Sequence, residues 1–170
     1  MKRLQLVMVG NGMAGVRTLE ELLKLNRELY DITVFGAEPH PNYNRILLSP
    51  VLAGEQTLDE IVLNDWAWYT DNSIQLHAGW KVTEVDRVQR TVSAENEQGE
   101  KVTAAYDRLV MATGSNPFIL PLPGKDLDGV LAYRDIADTQ AMIDAATQYK
   151  HAVVIGGGLL GLEAANGLMK

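Results

Sequence analysis

Hydrophobic and polar positions along the chain fall into blocks of different period, and the first block is nearly unbroken. Leu6 to Val9 is a continuous apolar run, the pattern of a short strand covered on both faces. From Val16 the spacing becomes helical, with Val16, Leu19, Leu22, Leu23 and Leu29 on one side and Arg17, Glu20, Glu21, Lys24 and Arg27 on the other. Asp31 to Glu38 then reads as a second strand and completes a βαβ unit. A Pro/Asn loop leads into a predicted short helix over Arg45–Leu52, and Trp66, Trp68 and Tyr69 fall in another. From Ile74 the elements shorten. The stretches IQLH, WKVTEVD, TVSAEN and KVTAAY, with a turn signal at Asn96–Gly99, predict a small antiparallel layer before a last buried strand, Arg108–Ala112. Asn116–Gly124 holds three of the six prolines and reads as a semi-stiff linker. Beyond it Val130–Tyr133 is strand-like, Asp135–Tyr149 is helical, and His151–Gly161 repeats the opening block of apolar strand, glycines and helix start.

The glycines give these blocks their chemistry. Gly10, Gly12 and Gly15 are spaced G-x-G-x-x-G between a strand and a helix, which is the context that makes the motif informative. The first permits a tight turn, the second lets a pyrophosphate approach the backbone, and the third lets helix and strand pack closely. The phosphates then sit at a helix N-terminus, where free N–H groups and the helix dipole favour negative charge. Gly156, Gly158 and Gly161 repeat the spacing in the same strand-to-helix context. One such motif is weak evidence, whereas two in one chain are much stronger.

The fold expected is therefore α/β and Rossmann-like. It has a central parallel sheet with helices, a small antiparallel β-meander, and the start of a second dinucleotide-binding domain. The organisation expected is a nucleotide-binding domain over 1–116, a linker over 117–124, and the truncated beginning of the second domain over 125–170. Glu38 lies where such folds place a carboxylate on ribose hydroxyls; the competing reading is a solvated strand-end Glu. Arg45 reads either as a partner for phosphate oxygens or as a surface cation. Thr113 and Gly114, at the carboxyl end of a strand, are candidate ligand contacts or plain turn residues.

Composition narrows the field. A net charge of −7, with no basic run, argues against a nucleic-acid surface. There is no cysteine and the three histidines are scattered, so no metal, iron–sulfur or disulfide site is expected in this segment. No stretch approaches the roughly 20 apolar residues of a membrane span. The apolar run after Met1-Lys2-Arg3 is too short for a secretory signal and is cut by glycines, so a cytoplasmic setting is expected.

VMVGNGMAG at Val7–Gly15, Glu38, YNRILLS at Tyr43–Ser49, LVMATGSNP at Leu109–Pro117 and VVIGGGLLGLEAA at Val153–Ala165 carry a resemblance. The chain resembles the N-terminal part of the large subunit of NAD(P)H-dependent nitrite reductases. These are relatives of the rubredoxin and ferredoxin reductases in the pyridine nucleotide-disulfide oxidoreductase superfamily. The resemblance implies FAD on the first motif. Gly10, Gly12, Ala14 and Gly15 would hold its pyrophosphate, Glu38 its ribose, Arg45 a phosphate or the adenine side, Val82 the adenine through its backbone, and Thr113-Gly114 its flank. Gly156, Gly158 and Gly161 would bind NAD(P)H. Glu163 matches a family position near the nicotinamide; read from the sequence alone it is equally a first-turn helix carboxylate.

Departures from the superfamily matter too. Its disulfide reductases carry a redox cysteine in the helix matched by Arg45–Leu52, where this chain has none, which excludes thiol chemistry here. Some relatives place a lysine just after the matched serine, where this chain has Pro50. The implied function is electron transfer from NAD(P)H through FAD to a downstream redox domain or small subunit. Siroheme and an iron–sulfur cluster would lie beyond this segment, and a homodimer is compatible. The alternatives are a rubredoxin or ferredoxin reductase, a nucleotide-binding module without turnover, and a single-cofactor dehydrogenase or methyltransferase-like fold.

Overall fold

The structure is a computed structural model that describes residues 3–170. The elements run β1 (Leu4–Val9), α1 (Met13–Leu25), β2 (Tyr30–Gly36), β3 (Asn42–Tyr43), α2 (Leu48–Leu52), β4 (Val62–Asn64), α3 (Trp66–Asp71), β5 (Ile74–Ala78), β6 (Lys81–Asp86), β7 (Thr91–Glu95), β8 (Lys101–Ala105), β9 (Arg108–Met111), α4 (Ile136–Gln148) and α5 (Leu159–Leu168). By compactness the chain divides into two units. One comprises residues up to Tyr43 together with Val62–Gly114, and the other comprises Asn44–Ile61 together with Ser115–Lys170.

In the first unit, four parallel strands form a sheet in the order β5-β2-β1-β9. The apolar run of β1 is buried on both faces because alternate side chains point to opposite sides. Leu6 and Met8 join Ile32 and Val34 of β2 against Val16, Leu19 and Leu23 of α1 and Tyr69 of α3. Val7, Val9 and Phe35 face the other way, onto Val92 and Ala94 of β7. That second cover is the antiparallel meander β6-β7-β8. Placing β1 between β2 and β9 satisfies its backbone on both edges, which is what a strand buried on both faces requires.

Several sequence expectations change here. The stretch IQLH belongs to β5, which pairs in parallel with β2 from Ile32–Ile74 to Gly36–Ala78, so it is part of the main sheet and not of the meander. The reason is α3, a crossover helix that returns the chain to run in the direction of β2. The strand at Arg108–Met111 is not fully buried. It is an edge strand with one partner, and Met111 is 57% exposed. α1 begins at Met13 and ends at Leu25, leaving Leu29 outside it.

In the second unit, α2, α4 and α5 surround Leu52, Met142 and Ala164, with Tyr133, Ile143 and Leu168 against them. α4 has a reciprocal cap. Asp135 accepts from the Asp138 N–H at 2.9 Å, while the Asp138 carboxylate accepts from the Arg134 N–H at 2.7 Å. Burial, and then the neighbouring Asp135, pushes the Asp138 carboxyl up.

Two expected strands do not form. Val130–Tyr133 is irregular, and so is 151–157, although its sequence is as apolar as β1. Val153 is 89% and Ile155 74% exposed. A strand needs a neighbour to complete its ladder, and no described strand pairs with this run.

Candidate functional site

The first glycine turn joins β1 to α1. Gly10 adopts φ +113, a region closed to residues with a side chain. A Cβ there would lie 2.0 Å from the carbonyl oxygen of Ala112, where the chain leaves β9. Gly15 packs so closely under the turn that its Cβ would meet the Gly10 carbonyl at 2.8 Å. Gly12 differs from both. It caps α1 in extended conformation, and a Cβ on it would meet nothing within 4 Å. Its missing side chain leaves open space outside the turn rather than relieving a clash inside.

The electrostatics of this turn suit an anion. The first closing bond of α1 runs from the Val16 N–H to the Gly12 carbonyl at 3.0 Å, so the amides of Met13, Ala14 and Gly15 lack a partner within their own helix. No acidic residue sits in the first turn, although the chain is acidic as a whole. A cavity of about 530 Å³ opens beside this turn, lined by Met13, Ala14, Arg17, Glu20, Asn42, Leu63 and Asn64.

The remaining candidates of this unit take up their positions around the same sheet end. β2 stops at Gly36, opposite the last residue of β5, so Glu38 lies two residues past the strand instead of ending it. Its carboxylate accepts from the Tyr43 hydroxyl at 2.6 Å, and its carbonyl accepts from the Gly79 N–H at 3.0 Å. Val82 is on β6 beside a register irregularity opposite Ala94. Thr113 and Gly114 are exposed where the chain leaves β9, with Gly114 at φ +71.

A buried polar chain under this site carries no pattern in the sequence. Asn11, inside the glycine turn, donates to the His40 carbonyl at 3.2 Å and accepts from the Tyr69 hydroxyl at 2.7 Å. The Tyr69 hydroxyl also accepts from the Asn42 N–H at 3.3 Å. Asn42 then donates to Asn64 at 2.8 Å, and Asn64 to Glu20 at 3.0 Å. The Asn64 bond holds the Glu20 carboxyl below its usual range. Burial pushes the Tyr69 hydroxyl up to about 12. The asparagines and the tyrosine look like ordinary loop and core residues, and only their convergence in three dimensions reveals the link.

In the second unit, the second glycine turn copies the first locally. Gly156 is at φ +134, Gly158 caps α5 in extended conformation, and the first closing bond runs from the Leu162 N–H to the Gly158 carbonyl at 3.1 Å. A Cβ on Gly161 would lie 2.1 Å from the Gly156 carbonyl, whereas one on Gly158 would meet nothing. The first turn of α5 also lacks acidic residues.

Glu163 lies beyond that first turn, which removes the reading of it as a dipole-stabilising carboxylate. It accepts instead from the Ser49 hydroxyl at 2.7 Å, and Ser49 in turn accepts from the Tyr133 hydroxyl at 3.1 Å. Arg45 opens a 3-10 turn capped by Asn44 and donates to the Arg134 carbonyl at 2.7 Å.

Among the described residues, no group of three His, Cys, Asp or Glu side chains is placed to hold a metal, and no helix is long and apolar enough to cross a membrane.

Comparison with known proteins agrees with this geometry. The family model for pyridine nucleotide-disulphide oxidoreductases matches residues 4–170. A nitrite reductase [NAD(P)H] of Bacillus subtilis is 56% identical over 169 residues, which is 99% of this chain and 20% of that protein. The assimilatory nitrate reductase electron transfer subunit of the same organism is 53% identical over 168 residues, 99% of this chain and 21% of that protein. The chain thus spans about a fifth of the length of either relative. Among solved structures, the NADH:rubredoxin oxidoreductase of Clostridium acetobutylicum superposes with a TM-score of 0.84 at 26% identity. That match covers 99% of this chain and 42% of the other.

Proposed function

The chain belongs to the pyridine nucleotide-disulphide oxidoreductase family, and on that premise we propose that it is the flavin- and nicotinamide-binding part of an NAD(P)H-dependent nitrite reductase. The observation that carries the proposal is the pair of glycine turns. Each opens its middle glycine to free space at a helix N-terminus whose leading amides lack intrahelical partners.

The residues present fit both groups. On the first turn the Gly10–Gly15 backbone admits a pyrophosphate, and the amides of Met13, Ala14 and Gly15 bind its charge. Glu38 accepts from ribose hydroxyls, Val82 meets the adenine through its backbone, and Thr113 and Gly114 line the flank. On the second turn Gly156, Gly158 and Gly161 bind the NAD(P)H pyrophosphate, and Glu163 holds the nicotinamide end. FAD held on the first turn would supply the redox chemistry, coupling two-electron oxidation of reduced nicotinamide to one-electron delivery. The protein contributes position and a fixed electrostatic frame.

In this reading the electrons go to a downstream redox domain or small subunit, the siroheme and iron–sulfur cluster at which nitrite becomes ammonia belong to the longer parent protein, and the setting is the cytoplasm. A second reading rests on the relative named as a nitrate reductase electron transfer subunit, which is nearly as similar. There the acceptor is a separate protein, as for a rubredoxin or ferredoxin reductase.

The test is flavin absorbance of the purified protein and its bleaching by NADH. In the full-length protein held without oxygen, flavin that bleaches on NADH and recolours with nitrite supports the first reading. Flavin that bleaches but recolours only with an added carrier protein supports the second. A protein that takes up no FAD contradicts both.

A further inference from the structure

Three elements distant in sequence meet at Glu163. Tyr133 precedes α4, Ser49 is in α2 and Glu163 is in α5, and two hydrogen bonds of 3.1 and 2.7 Å link them end to end. Each donor in this chain has a fixed target. An ionised carboxylate can only accept, so the Ser49 hydrogen must point at Glu163 Oε2. The serine oxygen is then left as the acceptor for the Tyr133 hydrogen. Oε1 is not part of the chain and is left to meet another donor.

We infer that Ser49 and Tyr133 are positioning residues that hold the Glu163 carboxylate in one rotamer, with Oε1 presented to the carboxamide N–H of a bound nicotinamide. The inference rests on the reading that Glu163 lies at the nicotinamide. Glutamate has one of the more mobile side chains, and ordering it on binding costs affinity. Here the ordering precedes the ligand. The bond to a charged acceptor is of the stronger kind. The Tyr133 ring packs beside Leu52, Met142 and Ala164, so the outer end of the chain is anchored in the core of its unit. Pro50, the residue after Ser49, has neither charge nor side-chain donor. The hydroxyls of Ser49 and Tyr133 thus supply the fixed support for Glu163 from this side.

The experiment is a titration of the full-length protein, its flavin reduced beforehand with dithionite in the absence of oxygen so that NADH binds without reacting, reading the NADH dissociation constant by nicotinamide fluorescence, for Glu163→Gln, Ser49→Ala, Ser49→Thr, Tyr133→Phe and the Ser49→Ala/Glu163→Gln double variant. Glu163→Gln is expected to weaken NADH about tenfold, the size of one charge-assisted hydrogen bond. Ser49→Ala and Tyr133→Phe are each expected to weaken it about three- to tenfold. Ser49→Thr, which keeps the hydroxyl, should restore it to within about twofold, and the double variant should bind no more weakly than Glu163→Gln alone. Tyr133→Phe keeps the packing ring and carries the test if Ser49→Ala does not fold. Wild-type affinity in Ser49→Ala and Tyr133→Phe, beside a weakened Glu163→Gln, would overturn the positioning role and leave Glu163 at the nicotinamide. An additional loss in the double variant would also overturn it. Wild-type affinity in Glu163→Gln would instead remove the reading on which the inference stands.

Discussion

The two glycine turns of this chain share a backbone and differ in everything around it. Gly12 and Gly158 cap their helices at φ −84, ψ 177 and φ −79, ψ 175. Gly10 and Gly156 both have large positive φ, and Gly15 and Gly161 both press on the carbonyl of the first glycine. Yet the run before Gly10 is a strand paired on both edges, whereas the run before Gly156 is exposed and unpaired. Local glycine chemistry therefore suffices to shape the turn. A strand is a property of its neighbours, and no apolar sequence makes one alone.

If that separation of causes is right, the first glycines should respond unequally. In Gly10→Ala the new methyl meets both an unfavourable φ and the Ala112 carbonyl, for an expected loss of about 4 kcal/mol. In Gly156→Ala only the backbone strain applies, since a Cβ there meets nothing, for about 1–2 kcal/mol. Chemical unfolding midpoints decide, and equal losses would mean that the two turns are packed alike.

The apolar runs sharpen the contrast. Met8 has no exposure and sits among α1 and β2 residues, so Met8→Ala should cost about 3 kcal/mol. Ile155→Ala, at a position 74% exposed, should stay within about 0.5 kcal/mol. A large loss at Ile155 would show that this run is a buried strand after all.

Much of the first unit was readable because its signals are local and repeated. The β1 run, the α1 spacing and the glycines each follow from residue types at fixed intervals. The sequence also anticipates the antiparallel meander, from its alternation and its turn at Asn96–Gly99. It misassigns Ile74–Ala78, since nothing in IQLH distinguishes an edge strand of a parallel sheet from the first strand of a hairpin series. Position in a sheet depends on partners, and α3 decides it. The grouping of Asn44–Ile61 with Ser115–Lys170 and the Tyr133–Ser49–Glu163 chain are unreadable for the same reason. They join residues that only the folded chain brings together.

A smaller effect probes the polar chain beneath the first turn. Burial raises the Tyr69 hydroxyl from 10.0 to about 12. A group whose pKa rises on folding contributes stability that is complete below its unfolded value and is lost as pH climbs through the folded one. The protein should thus lose up to about 2 kcal/mol between pH 10 and 12. Tyr69→Phe should flatten that part of the stability–pH curve. An unchanged curve would mean that the hydroxyl is not held as described.

The proposed function gives the first turn to the flavin and the second to the nicotinamide donor. It is tested most directly by the flavin absorbance of full-length protein carrying Gly12→Asp or Gly158→Asp, each of which puts a carboxylate into the open space proposed for a pyrophosphate. The account predicts a colourless Gly12→Asp protein. It predicts a yellow Gly158→Asp protein that NADH no longer bleaches. Undiminished flavin in Gly12→Asp, or flavin lost from Gly158→Asp alone, would contradict it.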